Sequence, residues 1–152
     1  MSVYGAPRTI HDLDVILDIK ANKEEMERFL EVMKKYDLET TGGAEHVITS
    51  LQEKSHFTIF YKSYAYWIDA QGVYGPLDEF AMKHRRQMRV FGENTWVEAP
   101  EVLIIAKLSA YYSDQSLRDM ISILEVSVDE IDFGLLRRIA EKWNTKKIEG
   151  CF

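Results

Sequence analysis

Strand-like alternation up to about residue 98 and helical periodicity from Pro100 onward predict an α+β fold, a mixed sheet flanked by helices with a helical C-terminal part. The 152 residues, 46% of them hydrophobic, are enough to bury one core. A single domain over 1–152 is therefore expected, sheet-forming over about 8–98 and helical over about 100–143.

The first strand is expected over 11–19, where alternation sends Asp12 and Asp14 to one side and Leu13, Val15 and Leu17 to the other. Asn22 follows as an N-cap with Glu25 at capping-box spacing, and Met26, Phe29, Leu30, Met33 and Tyr36 then recur at the period of an amphipathic helix. Thr40-Thr41-Gly42-Gly43 is expected to stop that helix. Residues 44–54 read as a short helix or irregular turn with Val47, Ile48 and Leu51 on one side. Residues 56–61 and 64–71 are rich in aromatic and β-branched types and predict antiparallel neighbours turning at Lys62-Ser63. After Gly75-Pro76, residues 77–84 read as a helix, and 87–91 with 95–98 as a small hairpin turning at Gly92-Glu93-Asn94. Pro100 opens a helix to about Tyr112, Ser116 opens one through Leu124, and Asp132 caps a last one through Trp143.

The formal net charge of −6 excludes a protein that holds nucleic acid by strong non-specific phosphate neutralisation. The single cysteine, Cys151, permits neither an intramolecular disulfide nor a cysteine-based zinc site, so a cytoplasmic setting is expected. The longest apolar runs are far too short to cross a membrane, and no membrane partner is expected.

Two aspartates one residue apart on a strand can share a divalent cation, and a third carboxylate, Asp69, ends the apolar run Tyr66-Trp67-Ile68 on a strand expected nearby. Three carboxylates converging from neighbouring strands repel one another unless a cation neutralises them. Oxygen-only ligands of this kind select Mg²⁺ or Mn²⁺, the arrangement used in metal-assisted phosphoryl or nucleotidyl transfer. From spacing alone Asp69 reads equally well as a turn residue before Gln71-Gly72. Lys107 falls with Leu103, Ile104, Leu108 and Tyr111 on the apolar face of its helix, so its amine calls for snorkelling, an ion pair with Asp119, or a phosphate. Lys83-His84-Arg85-Arg86 reads as a solvated basic turn, with balance of the acids or phosphate contact as the sharper role for its arginines. The aromatic residues of 60–67 read first as sheet core and second as a surface on which a base stacks.

These residues carry a family resemblance. Gly5-Ala6-Pro7-Arg8-Thr9-Ile10-His11-Asp12-Leu13-Asp14 resembles the Gly-x-x-Arg-x-Thr-x-Asp-x-Asp segment of the nucleotidyltransferase superfamily, the minimal polymerase-β-like type, with Thr9 offset by one. Ile68-Asp69, Arg85-Arg86, the run from Ala99 through Lys107-Leu108, and Leu117-Arg118-Asp119 are similar, in the same order, to its toxin-like prokaryotic branches. Those branches carry a Ser-Pro-Glu-Asp-Leu-Ile-x-x-Lys-Leu helix followed by an Arg-Asp helix. The resemblance covers about residues 5–143.

The resemblance implies a nucleotidyltransferase-like sheet in which Asp12, Asp14 and Asp69 bind Mg²⁺ or Mn²⁺ and so hold a nucleoside triphosphate. It implies a catalytic role for Asp69 as base toward the acceptor hydroxyl, nucleotide contacts from Arg8, Thr9 and Lys107, and places for Lys107 and Asp119 in the active site. Members also carry a strand ending in Gly-Gly or Gly-Ser ahead of the aspartates; that element is expected to be absent here, and Gly42-Gly43, lying after them, does not replace it. The functions that follow are Mg²⁺-dependent nucleotidyl transfer to an unknown acceptor, a non-catalytic or antitoxin-like interaction module of the same fold, and, third, a metal-dependent nuclease. A sheet edge left uncovered by the absent strand calls for a second copy, so a homo-oligomer is expected.

Overall fold

The structure, a computed structural model, describes residue 4 and residues 12–20, 22–61, 67–90, 92–109 and 113–143, with the backbone alone at Asp12. It is α+β, with two compact units: Thr9–Glu79, and Met1–Arg8 with Phe80–Phe152.

The first unit runs β1 (Asp12–Leu17), α1 (Lys23–Lys35), β2 (Leu38–Thr40), α2 (Gly43–Gln52), β3 (Phe57–Tyr61) and β4 (Trp67–Gly72). Its strands form one mixed sheet in the order β1-β4-β3-β2, with β1 parallel to β4 and the other neighbours antiparallel. The expected capping box opens α1. Asn22 Oδ1 accepts from Glu25 N at 3.0 Å, which satisfies one free helix amide, whereas the return bond is shifted: the Glu25 carboxylate accepts from Lys20 N at 2.6 Å, two residues before the cap, and Asn22 N donates to Lys20 O. The bond from Lys20 N holds the Glu25 carboxyl below the ordinary range.

Helices α1 and α2 cover one face of the sheet. Met26 and Met33 from α1, Val47 and Leu51 from α2, and Phe57, Ile59 and Ala70 from the strands form the buried cluster, with Phe29 edge-on to Phe57 at 6.0 Å. Gly72 ends β4 where a Cβ would sit 2.6 Å from the Tyr74 ring and 3.1 Å from Leu51, so the packing of the Tyr74 ring over this end of β4 favours glycine.

Helix α1 does not run on to Gly42-Gly43. It ends at Lys35, Asp37 turns the chain at φ 53°, and Leu38–Thr40 pairs with β3 as a strand. Three residues are too few to show alternation in sequence, and it is the Leu38↔Tyr61 register with β3 that makes them a strand. Gly42, at φ 72°, is instead the N-cap of α2. The turn expected at Lys62-Ser63 lies outside the described residues.

Helix α3 (Pro76–His84) contains the boundary between the units, and Asp78 fastens its start: Oδ2 accepts from Tyr74 N at 2.9 Å and Gly75 N at 3.0 Å. The second unit continues with the expected hairpin of β5 (Arg86–Val90) and β6 (Glu93–Val97), turning through Gly92 at φ 88°. Then come α4 (Pro100–Ser109), α5 (Asp114–Val126), a 3₁₀ turn at Val128–Glu130, and α6 (Phe133–Trp143). Ser113, not Ser116, caps α5: its Oγ accepts from Ser116 N at 3.1 Å, because the earlier serine of the pair meets the first free amides. Asp132 caps α6 as expected, accepting from Leu135 N at 2.9 Å. Tyr4, Ile104, Ile123 and Ile131 form the buried cluster of this unit.

Arg86 does not belong to a solvated turn. Its Nη2 donates at 2.7 Å to Oε1 of Glu101, which is fully buried on α4, and its Nη1 donates at 2.7 Å to Glu130 O. The same Oε1 accepts from Asp132 N at 2.6 Å, so one carboxylate ties the hairpin, α4 and the entry to α6 together. Arg85 remains exposed, lying 5.0 Å over the Trp96 ring. Among the described residues no helix is long and apolar enough to cross a membrane.

Replacing Glu101 by Ala leaves Arg86 Nη2 and the Asp132 amide without their acceptor. Arg86 is about one-third exposed, with 34% of its side chain accessible, so the loss falls at the low end for a broken buried pair, about 3 kcal/mol in urea denaturation. Tyr4 is buried with a hydroxyl that has no hydrogen-bond partner among the described residues, and burial pushes its pKa up to about 12. Below the ordinary tyrosine range both folded and unfolded chains hold the proton; above it the unfolded chain releases it while the folded chain keeps it, so stability falls as pH rises toward about 12. The Tyr4→Phe variant is expected to lose that part of the alkaline slope and, at neutral pH, to match the wild type or exceed it by up to about 1 kcal/mol in thermal denaturation.

Candidate functional site

Because side chains alternate along a strand, the sheet of the first unit has two unlike faces. Leu17, Ile68, Ala70, Phe57, Ile59 and Leu38 point to the helices. The register places Asp14, Asp69 and Thr58 in one row across β1, β4 and β3 on the opposite face: Asp14 lies opposite Asp69, and Asp69 opposite Thr58. The next row holds Trp67, opposite both Asp12 on β1 and Phe60 on β3.

Neighbouring strands are about 4.8 Å apart, so the Asp14 and Asp69 side chains leave adjacent backbones side by side. At about 5 Å two carboxylates repel by about 1 kcal/mol in water and about 3 kcal/mol at the effective dielectric of a partly buried site, and a cation between them removes that repulsion. Asp14 is exposed and Asp69 half-buried. Thr58 Oγ1 donates to Asp69 Oδ1 at 3.1 Å, which fixes that carboxylate on the sheet surface and leaves Oδ2 without a hydrogen bond among the described residues. Asp14 makes no hydrogen bond or ion pair among the described residues. One or two carboxylates, completed by water and phosphate oxygens, are the protein ligands Mg²⁺ takes, and this row fits that requirement.

The expected triad is thus described as a pair. Asp12 is in register on the same strand, its side chain lies outside the described residues, and no group of three acidic, histidine or cysteine residues that could hold a metal occurs among the described ones. Arg8 and Thr9 also lie outside them. Thr58 is a site residue that sequence reading missed, although its place between core-facing Phe57 and Ile59 was the available signal. The aromatic residues that read as sheet core divide: Phe60 and Trp67 stand on the aspartate face, and Trp67 is 42% exposed.

In the second unit Lys107 and Asp119 meet as an ion pair, Lys107 Nζ to Asp119 Oδ2 at 3.7 Å across α4 and α5. Gln115 Nε2 donates to Asp119 Oδ1 at 2.7 Å, and Leu108, Ser113, Ser116 and Leu117 line a small cavity together with Lys107. Of the roles open to Lys107, the ion pair is the one formed. It is long and partly exposed, with 33% of the lysine side chain accessible. Lys107→Met keeps the apolar stem and is expected to change urea stability by less than about 1 kcal/mol.

Comparison of the chain with protein-family models and with curated proteins returns no match.

Proposed function

We propose that the row of Asp14, Asp69 and Thr58 is a nucleotide site, and that the protein transfers a nucleotidyl group from a nucleoside triphosphate to an acceptor hydroxyl. The observation that carries this reading is the register pairing of Asp14 with Asp69, two carboxylates on one exposed face with the second oriented by a threonine. The order of motifs that resembles the nucleotidyltransferase superfamily supports it.

Asp14 and Asp69 would hold Mg²⁺ or Mn²⁺, which when bound supplies neutralisation of the triphosphate charge. The rest is done by the chain. Asp69 Oδ1 is held by Thr58, so Oδ2 can face the acceptor and take its proton. The acceptor oxygen then bonds to the α-phosphorus while the bond from that phosphorus to the bridging oxygen breaks, and pyrophosphate leaves with the electron pair. Thr58 acts through Asp69 by fixing which lone pairs point outward.

Incubation with Mg²⁺ and α-labelled nucleoside triphosphates is expected to give label on an acceptor from a cell extract, with pyrophosphate released, and Asp14→Asn and Asp69→Asn each to lower the rate at least about a hundredfold. Failure of the wild type to bind any nucleotide at millimolar concentration would overturn the enzyme reading in favour of a non-catalytic module. For that module the pertinent observation is β1, which among the described residues is an edge strand and whose Leu13 is 52% exposed.

A further inference from the structure

Among the described residues Trp67 and Phe60 are not part of the buried cluster under the helices of the first unit. That cluster takes Phe57 and Ile59 from the alternate positions of β3, and Ile68 and Ala70 from those of β4. Phe60 and Trp67 are register partners on the opposite face, in the row next to Asp69 and Asp14. Trp67 is 42% exposed and Phe60 half-buried, so part of the indole is open to solvent on the face that carries the two carboxylates. A solitary exposed tryptophan needs no explanation; one with an aromatic neighbour across the strand, beside an acid pair, does.

Two residues along a strand span about 6.6 Å, which is the distance from the Trp67 backbone to that of Asp69. A ribose and its first phosphate bridge a gap of this size between a base and a cation-bound phosphate oxygen. Stacking on an indole draws on the π-face that every base has, with no hydrogen-bond readout. Gln71, the other polar residue of β4 on this face, lies on the far side of Asp69 from Trp67 and donates from Nε2 to Asp78 Oδ1 at 3.4 Å, so it does not read the base.

We infer that Trp67, flanked by Phe60, is the platform on which the nucleobase lies, and that the site accepts nucleotides with little discrimination among bases. This rests on the nucleotide reading of the Asp14 and Asp69 row and adds the part of the ligand that row does not touch.

Titration calorimetry with Mg²⁺ and two probes separates the two ideas: inorganic tripolyphosphate, which has no base, and a non-hydrolysable adenosine triphosphate analogue. The wild type is expected to bind the analogue more tightly than tripolyphosphate. Trp67→Leu is expected to weaken the analogue about tenfold or more and leave tripolyphosphate unchanged, with Trp67→Phe restoring most of the loss and the guanosine and cytidine analogues behaving alike. Far-UV circular dichroism identifies a variant that has failed to fold, and the phenylalanine variant then carries the comparison. Equal binding of the analogue by wild type and Trp67→Leu, or equal loss of both probes in that variant, overturns the stacking platform while the phosphate site stands. Binding of neither probe to the wild type overturns both.

Discussion

The register of β4 is the constraint on which the first unit depends. Ala70 is fully buried against the helices and Gly72 lies close under Tyr74 and Leu51, so the even-numbered positions of this strand must face α1 and α2. A slip of one residue would send Asp69 into the apolar cluster and Ala70 to the surface. Every neighbour inherits the choice. Thr58 stands where it can hold Asp69 because Phe57 is opposite Ala70, and Asp14 stands beside Asp69 because Val15 is opposite Ala70. The polar face is thus set by the packing of the apolar one.

In the second unit the comparable element is polar. Glu101 is fully buried, and its position is tolerable because one oxygen gathers a guanidinium and a backbone amide. Two segments far apart in sequence converge on it, β5 through Arg86 and the start of α6 through the Asp132 amide, and Arg86 in turn reaches the Glu130 carbonyl of the 3₁₀ turn. Apolar packing of Ile104, Ile123 and Ile131 would hold these elements together in many orientations. The directional bonds of one carboxylate select among them.

Features set by neighbours in the chain could be read from sequence. Asn22 and Glu25 announced the start of α1, Gly92 marked the hairpin turn and Pro100 the first helix of the second unit, because each acts within a few residues. Features that need a distant partner could not. Leu38–Thr40 carries no strand signal until β3 lies beside it, and Arg86 looks solvent-bound until Glu101 is brought under it. At the candidate site, alternation showed which aspartates share a face, whereas the pairing of β1 with β4, and with it the partnership of Asp14 and Asp69, depends on a crossover that no local pattern encodes. For the same reason Phe60 and Trp67 read as core: alternation says that a strand has two faces and does not say which one the helices cover.

The parallel pairing of β1 with β4 also bears on how the site is assembled. β2, β3 and β4 follow one another along the sheet with antiparallel neighbours, whereas β1 reaches β4 only after two helices and two strands have been threaded between them. It is the longest loop closure in that unit, and a long closure costs more chain entropy than the neighbouring antiparallel pairings. Thr58 and Asp69 are brought together by one such neighbouring pairing, whereas Asp14 joins them only through that closure. A ligand that needs both acids therefore binds only a unit in which β1 is docked, and its binding energy stabilises the closure that loses the most chain entropy.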